Sequence, residues 1–213
     1  MNKEKDIIDK ANLVPFQGLD VDESNFNSPS RVYPATDGGL VGSISFEFCD
    51  FENPDHLKAL AELTNHYMTD PMGDAEPLNK LEQLRLVDGL ANHPTAEVLF
   101  ALSECKVVGL ATCFVNFSTF KVKPYLNIHD IVVLTEHRGN GIGKALMLKL
   151  IEISLERKYC KVTLEVRDDN ATAKALYKSL GFDECQPRML YWNLPLIPGD
   201  MSRFRKEGGM SVL

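Results

Sequence analysis

The chain has 213 residues, 44% of them hydrophobic and 25% charged, which is ordinary for a globular protein with one sizeable core. Its formal net charge of −7 argues against nucleic acid as a partner, because an acidic surface repels phosphate backbones, and it suits a cationic small molecule. Five cysteines without C-x-x-C spacing argue against a disulfide framework or a zinc site. With a charged amino terminus that lacks an apolar signal core, and no run long enough to span a membrane, they predict a cytoplasmic protein with no membrane partner.

Residues 1–41 carry weak periodicity and many breakers, among them Pro15, Gly18, Pro29, Pro34, Gly38 and Gly39, and read as a partly irregular extension. Regular structure is expected over 42–197, and a flexible polar tail over 198–213. Ser43 to Phe48 alternates like a strand. Asn53-Pro54-Asp55 reads as a helix start, with Leu57, Leu60, Ala61, Thr64, Tyr67 and Met68 following at helical spacing. Asp70 to Asp74 breaks that helix. A second begins near Pro77, carries Leu78, Leu81, Leu84, Val87 and Ala91 on one face, and ends at His93-Pro94. Ala96 to Ser103 and Val107 to Val115 read as a hairpin. Asn127 to Leu134 is a strand, Gly143 to about Lys158 a helix, and Lys161 to Val166 a strand. Ala171 to Leu180 is a helix stopped by Gly181, and Met189 to Leu194 is expected to close the sheet. This order predicts an α/β fold: one mixed, mostly antiparallel twisted sheet with helices on both faces.

The most informative segment is the passage from an apolar strand into a helix through Arg138-Gly139-Asn140-Gly141-Ile142-Gly143-Lys144. Alternate glycines let the backbone approach an anion and aim successive N–H groups at it. The helix dipole and two side-chain cations act at the same place. The chemistry suits a pyrophosphate. A Walker loop does not match, since Arg138 stands where its first glycine belongs and Ala145 where its hydroxyl belongs. A dinucleotide fingerprint does not match either, since Lys144 occupies its third glycine position.

Arg-Gly-x-Gly-Ile-Gly resembles the coenzyme A loop of the GNAT superfamily of N-acetyltransferases. Asn170-x-x-Ala173-x-x-x-Tyr177-x-x-x-Gly181-Phe182 resembles the second signature of that superfamily, in the right order and at the right distance. The likeness is sharp from Asn127 to Phe182 and nearest in motif to polyamine-type acetyltransferases. In those the strand carries two acidic residues where this chain has His129-Asp130.

The resemblance implies an acetyl-CoA-dependent enzyme without a metal. The main chain of Ile131, Val132 and Val133 would pair with the pantetheine arm as an added strand, and the Ile131 N–H would hold the thioester oxygen. Asn170 would bind the arm as well as cap its helix. Arg138, Gly139, Asn140, Gly141, Ile142, Gly143 and Lys144 would take the pyrophosphate. Tyr177 would be the general acid, since a phenol stays protonated at neutral pH and can protonate a departing thiolate. His129 would be the base, directly or through water, since imidazole ordinarily changes charge near neutrality, with Asp130 or water alone as the alternatives. Asp130 could orient His129 only if the strand bulges, because neighbours in a strand point to opposite faces; otherwise it would bind the acceptor cation, with Asp70 from the link between the first two helices. Alignment of the reactants can contribute up to roughly 7–11 kcal/mol, so few catalytic side chains are needed.

The expected reaction is direct transfer to a primary amine of a small cationic molecule in a ternary complex. A protein amino-group acetyltransferase and a non-catalytic coenzyme A sensor stand as alternatives. The oligomeric state is open, a homodimer included.

Overall fold

The computed structural model describes residues 44–73 and 75–196. The expected extension over 1–41 and tail over 198–213 lie outside the described residues, as does Asp74. The chain divides after Leu176 into two compact units.

The first unit is built on a five-stranded sheet in the order β1 (Ile44–Phe48), β2 (Ala96–Ser103), β3 (Lys106–Ser118), β4 (Lys123–Val133), β5 (Val162–Leu164). The first four strands form an antiparallel meander, and β5 joins β4 in parallel. Between β2 and β3 the turn residues Glu104 and Cys105 both have positive φ, 50° and 63°, the backbone of a two-residue hairpin turn whose twist matches its strands.

Two helices follow β1. In α1 (Pro54–Met68) the Asn53 side chain accepts the Asp55 N–H, with Pro54 at the first position. In α2 (Lys80–Ala91) Asn79 accepts from Leu81 and Glu82, while the Glu82 carboxylate accepts the Asn79 N–H, a reciprocal capping box. The start expected near Pro77 therefore falls two residues later, at the cap. Leu60 and Leu63 of α1 and Leu90 of α2 pack on Val98, Phe100, Leu110 and Val132. Leu99 and Ala101 alternate to the opposite face, which α3 (Ile142–Glu156) covers with Leu146, Met147, Leu150 and Ile153. The architecture is thus a mixed, mostly antiparallel α/β sheet between helical layers.

Helix α4 (Ala171–Ser179) crosses the division between the units. In the second unit Phe182 and Leu180 both donate their N–H groups to the Tyr177 carbonyl, closing the helix at Gly181 (φ +87°). The strand expected at Met189–Leu194 does not form: the segment is irregular, and Met189, Leu190, Tyr191, Trp192 and Leu194 are exposed. Apolar residues suffice for strand propensity, but a strand exists only where another edge supplies its hydrogen bonds, and no described strand pairs with this one.

Candidate functional site

The site begins with a register change in β4. Thr112 of β3 stands opposite Asp130 and Cys113 opposite Ile128, so His129 is an extra residue on β4. A bulge of this kind interrupts the alternation of side chains. Before it, Leu126 and Ile128 are buried; after it, Val132 belongs to the core beneath α1 and α2. His129 and Asp130 therefore share the α1–α2 face. The His129 ring meets Phe114 edge-on at 5.5 Å, and Phe114 packs on that same core. Burial, and after it the nearby charge of Asp130, raises the hydroxyl of Tyr67 in α1 above the usual phenol range.

The bulge also marks where β4 loses its second neighbour. Pairing with β5 covers Leu126, Asn127 and Ile128, and Asn127 Nδ2 donates to Thr163 Oγ1 at 3.1 Å. Among the described residues, Asp130 to Val133 pair with β3 alone, so from His129 onward the other edge of β4 is open. The Leu134 N–H bonds the Val108 carbonyl, on the β3 side. By strand alternation the peptide groups of Val133 and Ile131 face the open edge. Arg138 Nε donating to the Val133 carbonyl at 2.9 Å agrees with that direction. The side chain of Val132 is buried, and those of Ile131 and Val133 are half-buried.

Beyond β4 a single 3₁₀ turn, Thr135–His137, leads into the glycine segment. Gly139 and Gly141 have φ of 78° and 77°, the left-handed region that disfavours side chains. Gly141 caps α3 and has no side chain to offer the first N–H groups of that helix. Ile142 is buried, anchoring the helix start, while Asn140 and Lys144 are exposed. Asn140 Nδ2 donates to the His137 carbonyl at 3.3 Å. Arg138 does not stand free beside the turn: its Nη1 is 2.7 Å from Asp70 Oδ2. Asn170 accepts the Ala173 N–H at 3.0 Å, as a helix cap.

An open strand edge running into the glycine turn and a helix N-terminus could hold an extended molecule along the edge and its anionic group at the turn. The acetyltransferase (GNAT) family profile matches residues 57–182. The chain belongs to that family.

Among curated GNAT relatives, the thialysine N-epsilon-acetyltransferase of Bos taurus is 34% identical over 108 residues, 47% of this chain and 63% of that protein. An uncharacterized N-acetyltransferase of Archaeoglobus fulgidus is 40% identical over 83 residues, 38% of this chain and 56% of that one. The [ribosomal protein bS18]-alanine N-acetyltransferase of Escherichia coli is 40% identical over 65 residues, 30% and 44%. The matched region thus spans less than two thirds of the length of each. A possible acetyltransferase from Clostridium difficile 630 shares the fold with a TM-score of 0.61 at 22% identity, covering 72% of this chain and 99% of that one. An aminoglycoside acetyltransferase from an uncultured soil metagenomic sample, solved with sisomicin, gives 0.60 at 22%, covering 71% and 97%.

Within this GNAT frame the structure brings His129 and Asp130 to one face and places the open edge and the glycine turn at consecutive positions of one chain path. Tyr177 opens the second unit, buried, with its ring 6.0 Å from Phe182. Two neighbours escaped the sequence reading. Tyr67 registered only as a helix-face position, and His66, 3.1 Å from Thr135 Oγ1, carried no pattern. Both act across long sequence separations that no local motif encodes.

Burial pushes the Asp130 carboxyl above its ordinary value, and His129 beside it draws it back down. The folded protein therefore binds this proton more tightly than the unfolded chain. Ionised Asp130 costs stability above its folded-state value, and the cost vanishes as pH falls below the unfolded value of about 4. Asp130→Asn should raise Tm at pH 7 and leave it nearly unchanged at pH 3, by thermal denaturation at both. Equal shifts at the two pH values would show that the buried charge is not what the substitution removes.

Proposed function

We propose that this chain is a cytoplasmic N-acetyltransferase that moves an acetyl group from acetyl-coenzyme A directly onto the primary amine of a small cationic molecule. The observation that carries the reading is the open β4 edge, from His129 to Val133, continuing into the glycine turn. Five free cysteines support a reducing compartment, and no described helix is long and apolar enough to cross a membrane.

Acetyl-coenzyme A, when bound, supplies an activated thioester. The protein's part is placement and proton handling. The Ile131 N–H, directed to the open edge, holds the thioester oxygen as charge gathers there. The N–H groups at the start of α3 hold the pyrophosphate, with Lys144 adding charge. His129, exposed beside Asp130, takes the ammonium proton of the acceptor, and the half-buried Asp130 carboxylate attracts the cation. Tyr177 returns a proton to the departing thiolate, a role that rests on the family signature.

The acceptor side is the cleft of about 330 Å³ lined by Met68, Thr69, Asp70, Pro71, Ala75 and Glu76. Asp70 is paired with Arg138, so the Glu76 carboxylate and the −7 net charge are what favour a cation. Likeness to a thialysine N-epsilon-acetyltransferase supports a small amine, and likeness to a ribosomal-protein alanine N-acetyltransferase supports the second reading, a protein amino terminus. Mass spectrometry of products from polyamines, thialysine, amino sugars and peptides, each offered with acetyl-coenzyme A, decides between them. Small cationic amines should be acetylated. Acetylation of peptide amino termini alone would establish the second reading, and coenzyme A binding without any product would leave a sensor.

A further inference from the structure

Arg138 and Asp70 were each expected at a ligand, one at the pyrophosphate and the other at the acceptor, yet they hold each other across 68 residues of sequence. The Arg138 guanidinium uses all three nitrogens on the protein. Nε donates to the Val133 carbonyl at 2.9 Å, Nη1 donates to Asp70 Oδ2 at 2.7 Å, and Nη2 stands 3.5 Å from His66 Nε2. His66 is tied in turn to Thr135 Oγ1 at 3.1 Å. The Asp70 side chain is only 12% exposed, and its other oxygen accepts the Met72 N–H at 2.8 Å.

The link that Asp70 anchors is tightly folded. The Gly73 N–H bonds the Asp70 carbonyl at 2.8 Å, and the Ala75 N–H bonds the Met68 carbonyl at 3.0 Å. At Gly73 a Cβ would fall 2.0 Å from the Tyr67 carbonyl, so the link lies directly on the end of α1. The Leu78 N–H bonds Asn65 Oδ1 at 2.8 Å and closes the far end. This folded link is the wall of the acceptor cleft. Its connection to the cofactor strand runs through Arg138, with His66 alongside.

We propose that Asp70 and Arg138 are a positioning pair that fixes the wall of the acceptor cleft to the end of β4, so that Arg138 serves acceptor placement and the pyrophosphate is left to the main chain of the turn. The proposal deepens the acetyltransferase reading and rests on it for the meaning of the two sites. Asp70 ionises more readily than an ordinary aspartate, chiefly through the Met72 N–H and then through Arg138, so the pair is intact at neutral pH.

The test uses Asp70→Asn, which keeps the size and the Met72 hydrogen bond but removes the charge, and Arg138→Lys, which keeps the charge but loses the guanidinium fork. Hydrogen exchange followed by mass spectrometry should show peptides over 69–78 exchanging about tenfold faster in either variant, a loss between that of an exposed and a buried ion pair. Peptides over 139–146, and the affinity for coenzyme A by calorimetry, should change less than about threefold. With the best amine of the product panel, acceptor KM should rise about tenfold with kcat nearly kept, the mark of lost uniform binding, and Asp70→Glu should restore part of it. Unchanged exchange over 69–78, or coenzyme A affinity falling as far as the link loosens, overturns the pair as an acceptor-side device. Failure of the wild-type protein to bind coenzyme A would sink the acetyltransferase reading instead, and the exchange result over 69–78 would still decide whether the pair holds the link.

Discussion

Gly141→Asp should abolish acetyl-coenzyme A binding in a protein that still folds. Gly141 has φ of +77°, and among the described residues no atom beyond its chain neighbours lies within 4 Å of where its Cβ would be, so the substitution meets no steric wall there. The folding cost is that of one residue in the left-handed region, about 1–2 kcal/mol, and aspartate is among the residues that tolerate it best. The charge is what matters. Gly141 caps α3, and the first N–H groups of that helix are the proposed pyrophosphate seat. A carboxylate there would satisfy those donors itself, as an N-cap aspartate does, and would repel the incoming anion. Gly141→Asn separates charge from conformation: it shares the backbone tolerance and should weaken binding far less. Gly143→Ala is the second control. Its φ is not positive, and the nearest atoms to an added Cβ, on Leu176 and Val133, lie 3.8 and 4.0 Å away. It should bind acetyl-coenzyme A nearly as the wild type does. Calorimetry on all four proteins, with and without chelator, measures this. Unchanged affinity in a folded Gly141→Asp protein would remove the cofactor assignment, and loss of binding on adding chelator would show that a metal takes part.

His129→Ala should slow turnover by about 10²–10⁴, the range for lost general-base catalysis, with acetyl-coenzyme A affinity nearly intact. The separation is expected because the cofactor is assigned to main-chain groups of β4 and α3, while the His129 side chain lies on the α1–α2 face beside Asp130 and against Phe114. The pH profile sharpens the test. If His129 takes the proton, its removal should change the acidic limb of kcat/KM. The amine must also lose its own proton and can produce such a limb. Acceptors of falling pKa resolve this, since dependence on His129 should weaken as the amine becomes easier to deprotonate. Tyr177→Phe should lower the rate and keep the acidic limb, because its proton goes to the thiolate. Near-normal kcat in folded His129→Ala, with every acceptor, would return the base role to water or Asp130.

Much of this was legible in the chain order. Asn53-Pro54 and Asn79 with Glu82 mark their helix starts through contacts within three residues. The glycines at 139 and 141 announce positive φ by their chemistry alone. Such signals survive in one dimension because the groups that satisfy each other are neighbours in sequence. Resemblance to the two family signatures added the expectation of acetyl-coenzyme A and of acetyl transfer, which periodicity could not.

Tertiary structure decided the rest. Whether Asp130 could stand beside His129 turned on a bulge, and a bulge is a mismatch between two strands: it is set by how Cys113 and Thr112 meet β4. The open edge from His129 to Val133 exists because β5 stops at Leu164, and strand length depends on what the neighbouring edge offers. Met189 to Leu194 has the composition of a strand and is not one among the described residues, for the same reason. Arg138 and Asp70 each looked like a ligand-binding charge, because a sequence shows charges without their partners. Only folding places a carboxylate 2.7 Å from a guanidinium 68 residues away, and that neighbour, more than residue type, decides what either charge is free to do.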